Sequence, residues 1–140
     1  MITAVTHTTR YVPDLDAAIA FYRDLLGFQV VSDNPMDMGP GRTARWLTVG
    51  LPAQPGFEVV LQDPAQWLHG EALERVQSAL SVQPQIMLST NDIEGLHARL
   101  LEAGVTLPYG AIGSMPWGRD LSFLDPSGSS VYVIQPNPAA

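Results

Sequence analysis

The sequence predicts an α+β fold of two βαβββ modules, because one pattern occurs twice along its 140 residues. In each copy an acidic residue opens a stretch with apolar residues at helical spacing, and a glycine closes it. A strand-like stretch precedes each helix and three such stretches follow it. We therefore expect a single domain, residues 1–140, assembled from two paired modules.

The two predicted helices share their start and stop signals. Asp14 and Asp92 are the predicted N-caps, because a carboxylate accepts hydrogen bonds from the free amides of a first helical turn. Gly27 and Gly104 are the predicted stops, where a left-handed residue is favoured. Between them apolar residues recur at i, i+3, i+4 and i+7, which is typical of a helix with one buried stripe.

Four strands are predicted in each module from β-branched and alternating stretches. They cover residues 2–11, 28–32, 44–49 and 57–61 in the first module, and 85–89, 105–109, 121–124 and 130–134 in the second. A loop rich in Gly, Pro and Met follows the second strand of each module, over 33–42 and 110–118. Pro64 opens a predicted linking helix over about 64–81, which separates module 1 (about 1–63) from module 2 (about 82–136).

Composition excludes several classes of function. The 14 acidic residues outnumber the 7 basic ones, and the net charge of -7 disfavours a nucleic-acid partner. The absence of Cys excludes disulfides and thiolate metal sites, and the absence of Lys excludes Schiff-base chemistry. No apolar run is long enough to span a membrane, and the first residues lack a signal-peptide pattern. We expect a cytoplasmic protein without a membrane partner.

Two motifs resemble the vicinal oxygen chelate superfamily, also called the glyoxalase/bleomycin resistance/dioxygenase family. Residues 12–16 read V-P-D-L-D and residues 21–28 read F-Y-R-D-L-L-G-F, similar to the family's opening. Residues 123–128 read F-L-D-P-S-G, similar to the family's turn before its last strand. The resemblance implies a glyoxalase/bleomycin resistance/dihydroxybiphenyl dioxygenase-like fold, in which the modules form a curled mixed sheet around a concave cavity. It also implies a homodimer.

The resemblance further implies where a metal would bind, since metal-dependent members place ligands on the first and fourth strands of each module. His7 and Gln85 each lie seven residues before a predicted N-cap, at the family's first-strand position. Glu58 and Tyr132 fall at the fourth-strand positions. A divalent cation prefers anionic or imidazole donors, so Gln85 is a weak ligand and Tyr132 would have to lose its proton. We therefore expect no cofactor, with a divalent metal on His7, Glu58 and Gln85 as the alternative.

The residues expected to bind a ligand combine apolar area with sparse polar groups, as small-molecule pockets do. They are His7, Tyr11, Trp46, Gln85, Met87, Met115, Trp117, Arg119 and Tyr132. Strand alternation places Tyr11 on the face of His7 and Met87 on the face of Gln85. Structural roles remain as alternatives: a hydrogen-bonded sheet histidine for His7, a solvated strand residue for Glu58, and a pairing of Arg119 with Asp120 or another surface acid.

These residues predict a protein that binds a small molecule, aromatic or cationic, similar to the family's metal-free drug-binding and antibiotic-resistance members. The alternative is a metal-dependent lyase, isomerase or dioxygenase that uses His7, Glu58 and Gln85. A metal-free enzyme with His7 as base is a third possibility. The sequence leaves open whether a reaction occurs, and His7 and Tyr132 are the candidate catalytic residues.

Overall fold

The computed structural model describes residues 1–139, so the last position of the predicted domain lies outside the described residues. The chain divides into two compact units, the first ending at Leu80 and the second beginning at Ser81. Each unit contains one βαβββ module and one four-stranded mixed sheet. The predicted α+β fold is confirmed.

The sheet of unit 1 has the strand order β1-β4-β3-β2. β1 pairs in parallel with β4, and the other pairs are antiparallel. The strands are β1 (His7–Tyr11), β2 (Gln29–Asp37), β3 (Thr43–Gly50) and β4 (Glu58–Gln62). Helix α1 follows β1; it is α-helical over Leu15–Ile19 and continues as π-helix over Ala20–Leu25. After β4 come α2 (Pro64–Trp67) and α3 (Gly70–Ser78).

The sheet of unit 2 repeats this topology with the strand order β5-β8-β7-β6. A short 3-10 turn (Leu80–Val82) leads into it. The strands are β5 (Ile86–Ser89), β6 (Gly113–Met115), β7 (Gly118–Leu124) and β8 (Ser130–Pro136), and α4 (Ile93–Glu102) follows β5. Again the first and last strands of the module pair in parallel. Within residues 1–139 no helix is long and apolar enough to cross a bilayer.

The predicted helix signals are confirmed at both ends. The Asp14 carboxylate accepts a hydrogen bond from the backbone N–H of Ala17 at 3.1 Å. Asp92 does the same for Gly95 at 3.0 Å. Gly27 and Gly104 have φ angles of 84° and 72°, which a residue without a side chain adopts freely.

One face of each sheet packs against its helix and forms the core. In unit 1 the buried residues Tyr22 and Ala18 of α1 belong to the same core as Leu47 and Leu61 of the sheet. In unit 2 the corresponding buried residues are Ile93 and Leu100 of α4 with Phe123, Val131 and Val133. Because successive strand residues point to opposite faces, the residues between these core positions form a second face in each unit.

The predicted strand over 105–109 is wrong. This segment forms a turn, in which the N–H of Gly110 donates to the carbonyl of Leu107 at 3.1 Å. Pro108 lacks an N–H for a strand ladder, and Gly110 has a φ of 72° that reverses the chain. β6 lies instead within the predicted 110–118 loop and pairs with β7.

The predicted linking helix is also interrupted. Leu68 and His69 are extended, and Gly70 has a φ of 60°, so α2 ends at Trp67 and α3 begins at Gly70. β1 is shorter than predicted and begins at His7. β2 is longer and runs to Asp37; it accommodates Pro35 because it is an edge strand.

Candidate functional site

A pocket of about 440 Å³ lies in unit 2. Asp120, Ser122 and Tyr132 line it, and strand alternation places them on the sheet face opposite α4. The register pairs Ser122 with Tyr132 and Asp120 with Gly113, which brings residues from three strands together. Gln85, directly before β5, completes the polar part of the lining.

Apolar side chains form the rest of the pocket wall. Met115 comes from β6, and Tyr109 and Ala111 come from the turn that replaces the predicted strand. Tyr109 is 82% exposed and Met115 is 43% exposed, so their side chains have area available for a ligand. An aromatic ring and a polarizable thioether at a pocket edge suit contacts with a flat molecule.

The phenol of Tyr132 and the carboxylate of Asp120 are hydrogen-bonded within the pocket. Tyr132 Oη donates to Asp120 Oδ2 at 2.6 Å, and Asp120 is only 8% exposed. This hydrogen bond is the main cause that raises the pKa of Tyr132, and burial acts in the same direction, while the nearby Trp117 indole opposes it. Tyr132 therefore keeps its proton near neutral pH and acts as a hydrogen-bond donor.

Gly113 is required for this arrangement. A Cβ atom at Gly113 would collide with Asp120 Oδ1, since the two residues are direct partners across β6 and β7. The absent side chain lets the carboxylate lie against the β6 backbone. The other carboxylate oxygen, Oδ2, is held by the hydrogen bond from Tyr132.

Three other residues that the sequence predicts to bind a ligand, Gln85, Met87 and Trp117, also lie in unit 2. Gln85 Nε2 donates to Ser130 Oγ at 2.8 Å at the pocket lining. Met87 pairs with Tyr132 across β5 and β8 and is 62% exposed on the same face. Trp117 lies in the β6–β7 turn and is 53% exposed.

Arg119 is not brought to the pocket. It alternates with Asp120 along β7, so its side chain lies on the opposite face, and its Nη2 donates to Glu94 of α4 at 3.0 Å. This is the surface pairing that the sequence left open, with Glu94 rather than Asp120 as the acid.

In unit 1, His7 and Glu58 are neighbours across β1 and β4. His7 Nε2 lies 3.9 Å from Glu58 Oε1, and His7 Nδ1 is hydrogen-bonded to Thr6 Oγ1 at 2.8 Å. The buried Thr48 donates to Glu58 Oε1 at 2.6 Å. The imidazole is thus held through one nitrogen and presents the other to the carboxylate.

An aromatic group adjoins this pair. The Trp46 ring lies 6.1 Å from the His7 ring between centroids, and Trp67 meets Trp46 edge to face at 6.3 Å. Tyr11 is half-buried at the end of β1 and lies on the His7 face by alternation. His7, Tyr11 and Trp46 therefore share one face of unit 1.

Two of the predicted metal ligands, His7 and Glu58, are neighbours in unit 1. Within residues 1–139 no three His, Asp or Glu side chains are arranged to hold an ion. His7 and Glu58 are two good ligands, fewer than the three that a catalytic zinc site takes from its protein.

Sequence reasoning missed Asp120, Tyr109 and Thr48 as site residues. The available signal for Asp120 was its alternation with the apolar Leu121 and Phe123, which separates its face from the core face. Tyr109 gave no such signal, because the strand assigned to it does not form.

Comparison with known proteins identifies the family. Residues 4–133 match the model of the Glyoxalase/Bleomycin resistance protein/Dioxygenase superfamily. The chain belongs to this superfamily. The match spans both units and agrees with the motifs at residues 12–28 and 123–128.

Three solved structures of this superfamily's fold are similar to the chain over nearly its whole length. A superfamily member from Sphaerobacter thermophilus DSM 20745 is 31% identical, with a TM-score of 0.73 over 96% of this chain and 98% of that one. UcmS2 is 28% identical, with a TM-score of 0.80 over 96% and 98%. TnmS3, an antibiotic binding protein from Streptomyces sp. CB03234, is 28% identical, with a TM-score of 0.71 over 97% and 98%.

Proposed function

We propose that this protein binds a small planar aromatic molecule, such as an aromatic antibiotic, in the pocket of unit 2. The observation that carries the proposal is the lining itself: Tyr109 and Met115 offer exposed apolar area, and Asp120, Tyr132 and Gln85 offer a few fixed polar groups. Flat apolar walls supply affinity and sparse polar groups set orientation.

The size of the pocket and the superfamily neighbours support the same proposal. A volume of about 440 Å³ falls in the range of small-molecule sites, roughly 300–1,000 Å³. The neighbour TnmS3 is an antibiotic binding protein, at 28% identity over almost the entire chain. The raised pKa of Tyr132 keeps its proton in the hydrogen bond to Asp120, which favours a role in holding that carboxylate over a role as a base that removes a proton from the ligand.

Calorimetric titration with an anthracycline, a tetracycline and a bleomycin tests the proposal. We expect at least one of them to bind with one-to-one stoichiometry. Met115→Ala and Tyr109→Ala should each weaken that binding about tenfold, corresponding to about 1.4 kcal/mol of lost contact. Leu101→Ala is the matched control, since Leu101 is an exposed apolar side chain on α4 outside the pocket.

Binding that is unchanged in both pocket variants, or no binding of any of the three compounds, contradicts the proposal. Intrinsic fluorescence provides a second measurement, because Trp117 lies near Tyr132 and should be quenched by a bound aromatic ligand. Trp117→Phe should remove that quenching signal. Trp46→Phe should leave it in place, because this variant retains Trp117.

A metal-dependent enzyme is the second candidate, and the 3.9 Å approach of His7 Nε2 to Glu58 Oε1 favours it. Titration with nickel, zinc, manganese and iron, followed by elemental analysis, distinguishes the two. Stoichiometric metal binding that His7→Ala abolishes would support the enzyme. Thr9→Ala is the control for that variant, since Thr9 is exposed on the same strand face.

A further inference from the structure

Among the described residues, Asp120 supplies the one charged side chain that lines the unit 2 pocket. The other polar lining side chains are the amide of Gln85, the hydroxyl of Ser122 and two tyrosine phenols. Asp120 is 8% exposed and receives a hydrogen bond from Tyr132, but within residues 1–139 it forms no ion pair with an Arg or a His. Arg119, its neighbour in sequence, is held by Glu94 on the other side of the sheet.

A nearly buried carboxylate without a cationic partner is costly to desolvate unless a bound group balances its charge. Tyr132 occupies Oδ2, and Gly113 leaves Oδ1 against the backbone of β6 at the pocket. Within residues 1–139 no side chain other than Tyr132 donates a hydrogen bond to this carboxylate. The position therefore suits the cationic or protonated nitrogen of a ligand.

The apolar wall of the pocket also favours a cationic ligand. An exposed tyrosine ring attracts a cation through its negative face, and a methionine thioether adapts to a flat ring system. The net charge of -7 adds long-range attraction for cations and repulsion for anions. The apolar wall and the Asp120 carboxylate together form a site that suits a flat molecule with positive charge at one edge.

We propose that the unit 2 pocket selects cationic planar aromatic molecules and that Asp120 is the residue that determines this selectivity. The proposal rests on the proposed function, and it narrows the ligand class from aromatic molecules in general to cationic ones. Neutral aromatic molecules should bind more weakly through the wall alone, and anionic ones should be rejected.

Two dyes with the same ring system test this proposal. Proflavine is a cation near neutral pH, whereas acridine is uncharged there. We expect proflavine to bind the full chain about tenfold more tightly than acridine, as measured by calorimetry at fixed ionic strength. Asp120→Asn should reduce proflavine affinity about tenfold, to near that of acridine, and should change acridine affinity far less, because the amide keeps the size and an acceptor oxygen of the side chain.

Two further variants separate the ion pair between Asp120 and a bound cation from the effects of net charge and of the Tyr132 hydrogen bond. Glu102→Gln removes the same charge from an exposed position on α4 and should leave the dye preference intact. Tyr132→Phe removes the donor to Asp120 but keeps the charge, so it should retain or strengthen the preference for proflavine. Circular dichroism and a thermal melt establish that each variant is folded.

The outcomes are distinguishable. If neither dye binds, the pocket does not take planar aromatic molecules and the proposed function fails with the inference. If both dyes bind the unaltered protein equally, the function stands and the role of Asp120 is overturned, whether or not Asp120→Asn folds. A loss of preference in Glu102→Gln as large as in Asp120→Asn also overturns it, since the effect would then come from net charge.

Discussion

Replacing Thr48 by Val tests how the Glu58 carboxylate is held beside His7. Thr48 is fully buried in β3, and its hydroxyl donates to Glu58 Oε1 at 2.6 Å. Val has nearly the same shape, so the substitution removes the hydrogen bond while filling the same space. The free energy of unfolding should fall, because a part-buried carboxylate loses one of its donors.

The magnitude follows from three contributions. A hydrogen bond to a charged group contributes about 1.5–3 kcal/mol. Glu58 is 23% exposed, so water recovers part of that loss. The additional methyl of Val returns up to about 0.8 kcal/mol through apolar burial. The expected net destabilisation is about 1 kcal/mol, or a fall of about 0.5 M in the urea midpoint at a typical slope of about 2 kcal/mol/M.

Urea denaturation followed by tryptophan fluorescence measures this change. Thr9→Val is the matched control, because Thr9 is exposed on the same sheet face and should shift the midpoint by less than about 0.2 M. In the background of Glu58→Gln, Thr48→Val should lower the urea midpoint by less, since the Thr48 hydroxyl then no longer donates to a charged group. Equal midpoints for Thr48→Val and Thr9→Val would refute the reasoning.

Three further predictions concern the carboxylates of the two units. The hydrogen bond to Asp120 raises the pKa of Tyr132. The stability that this bond contributes is therefore complete below the unfolded pKa of about 10 and is lost as pH rises through the folded pKa. Ultraviolet titration should show that Tyr132 ionises at a higher pH than a free tyrosine, and Asp120→Asn should move that ionisation to lower pH. Gly113→Ala should destabilise the fold by about 1–3 kcal/mol in a thermal melt and weaken proflavine binding, because its Cβ collides with Asp120, whereas Ser114→Ala on the same strand should do neither. The hydrogen bonds from Arg45 lower the pKa of Asp33, so this carboxylate stabilises the fold above its ordinary pKa near 4 and the contribution is lost as pH falls through the lower folded pKa. Asp33→Asn should therefore cost less than about 1 kcal/mol near neutral pH, since the pair is solvent-exposed, and the difference from the unaltered protein in urea titrations should disappear in strong acid.

Local chemistry made the modules predictable. Asp14 and Asp92 cap helices, and Gly27 and Gly104 end them, through interactions with residues only a few positions away. The repeat of these signals was sufficient to predict two βαβββ modules. The strand over 105–109 was mispredicted because Val and Thr favour strands locally, while Pro108 lacks an N–H and Gly110 reverses the chain, so the segment forms a turn.

The candidate site was predictable only in part. Alternation predicts that Met87 shares the face of Gln85 and that Ser130 shares the face of Tyr132, since period 2 is a property of any strand. In the structure Met87 pairs with Tyr132, and Gln85 donates to Ser130. It did not show that Arg119 lies on the other face with Glu94, because β7 was predicted to begin two residues after it.

The amino-acid sequence by itself determined the capped helices, the alternation of the strands and the family motifs, because these depend on neighbours along the chain. Only the tertiary structure decided that Gln85, Asp120 and Tyr132 line one pocket together with Tyr109. The physical reason is separation along the chain: Gln85 and Ser130 are 45 positions apart and meet only because β5 pairs with β8, and no signal between neighbouring residues specifies that pairing.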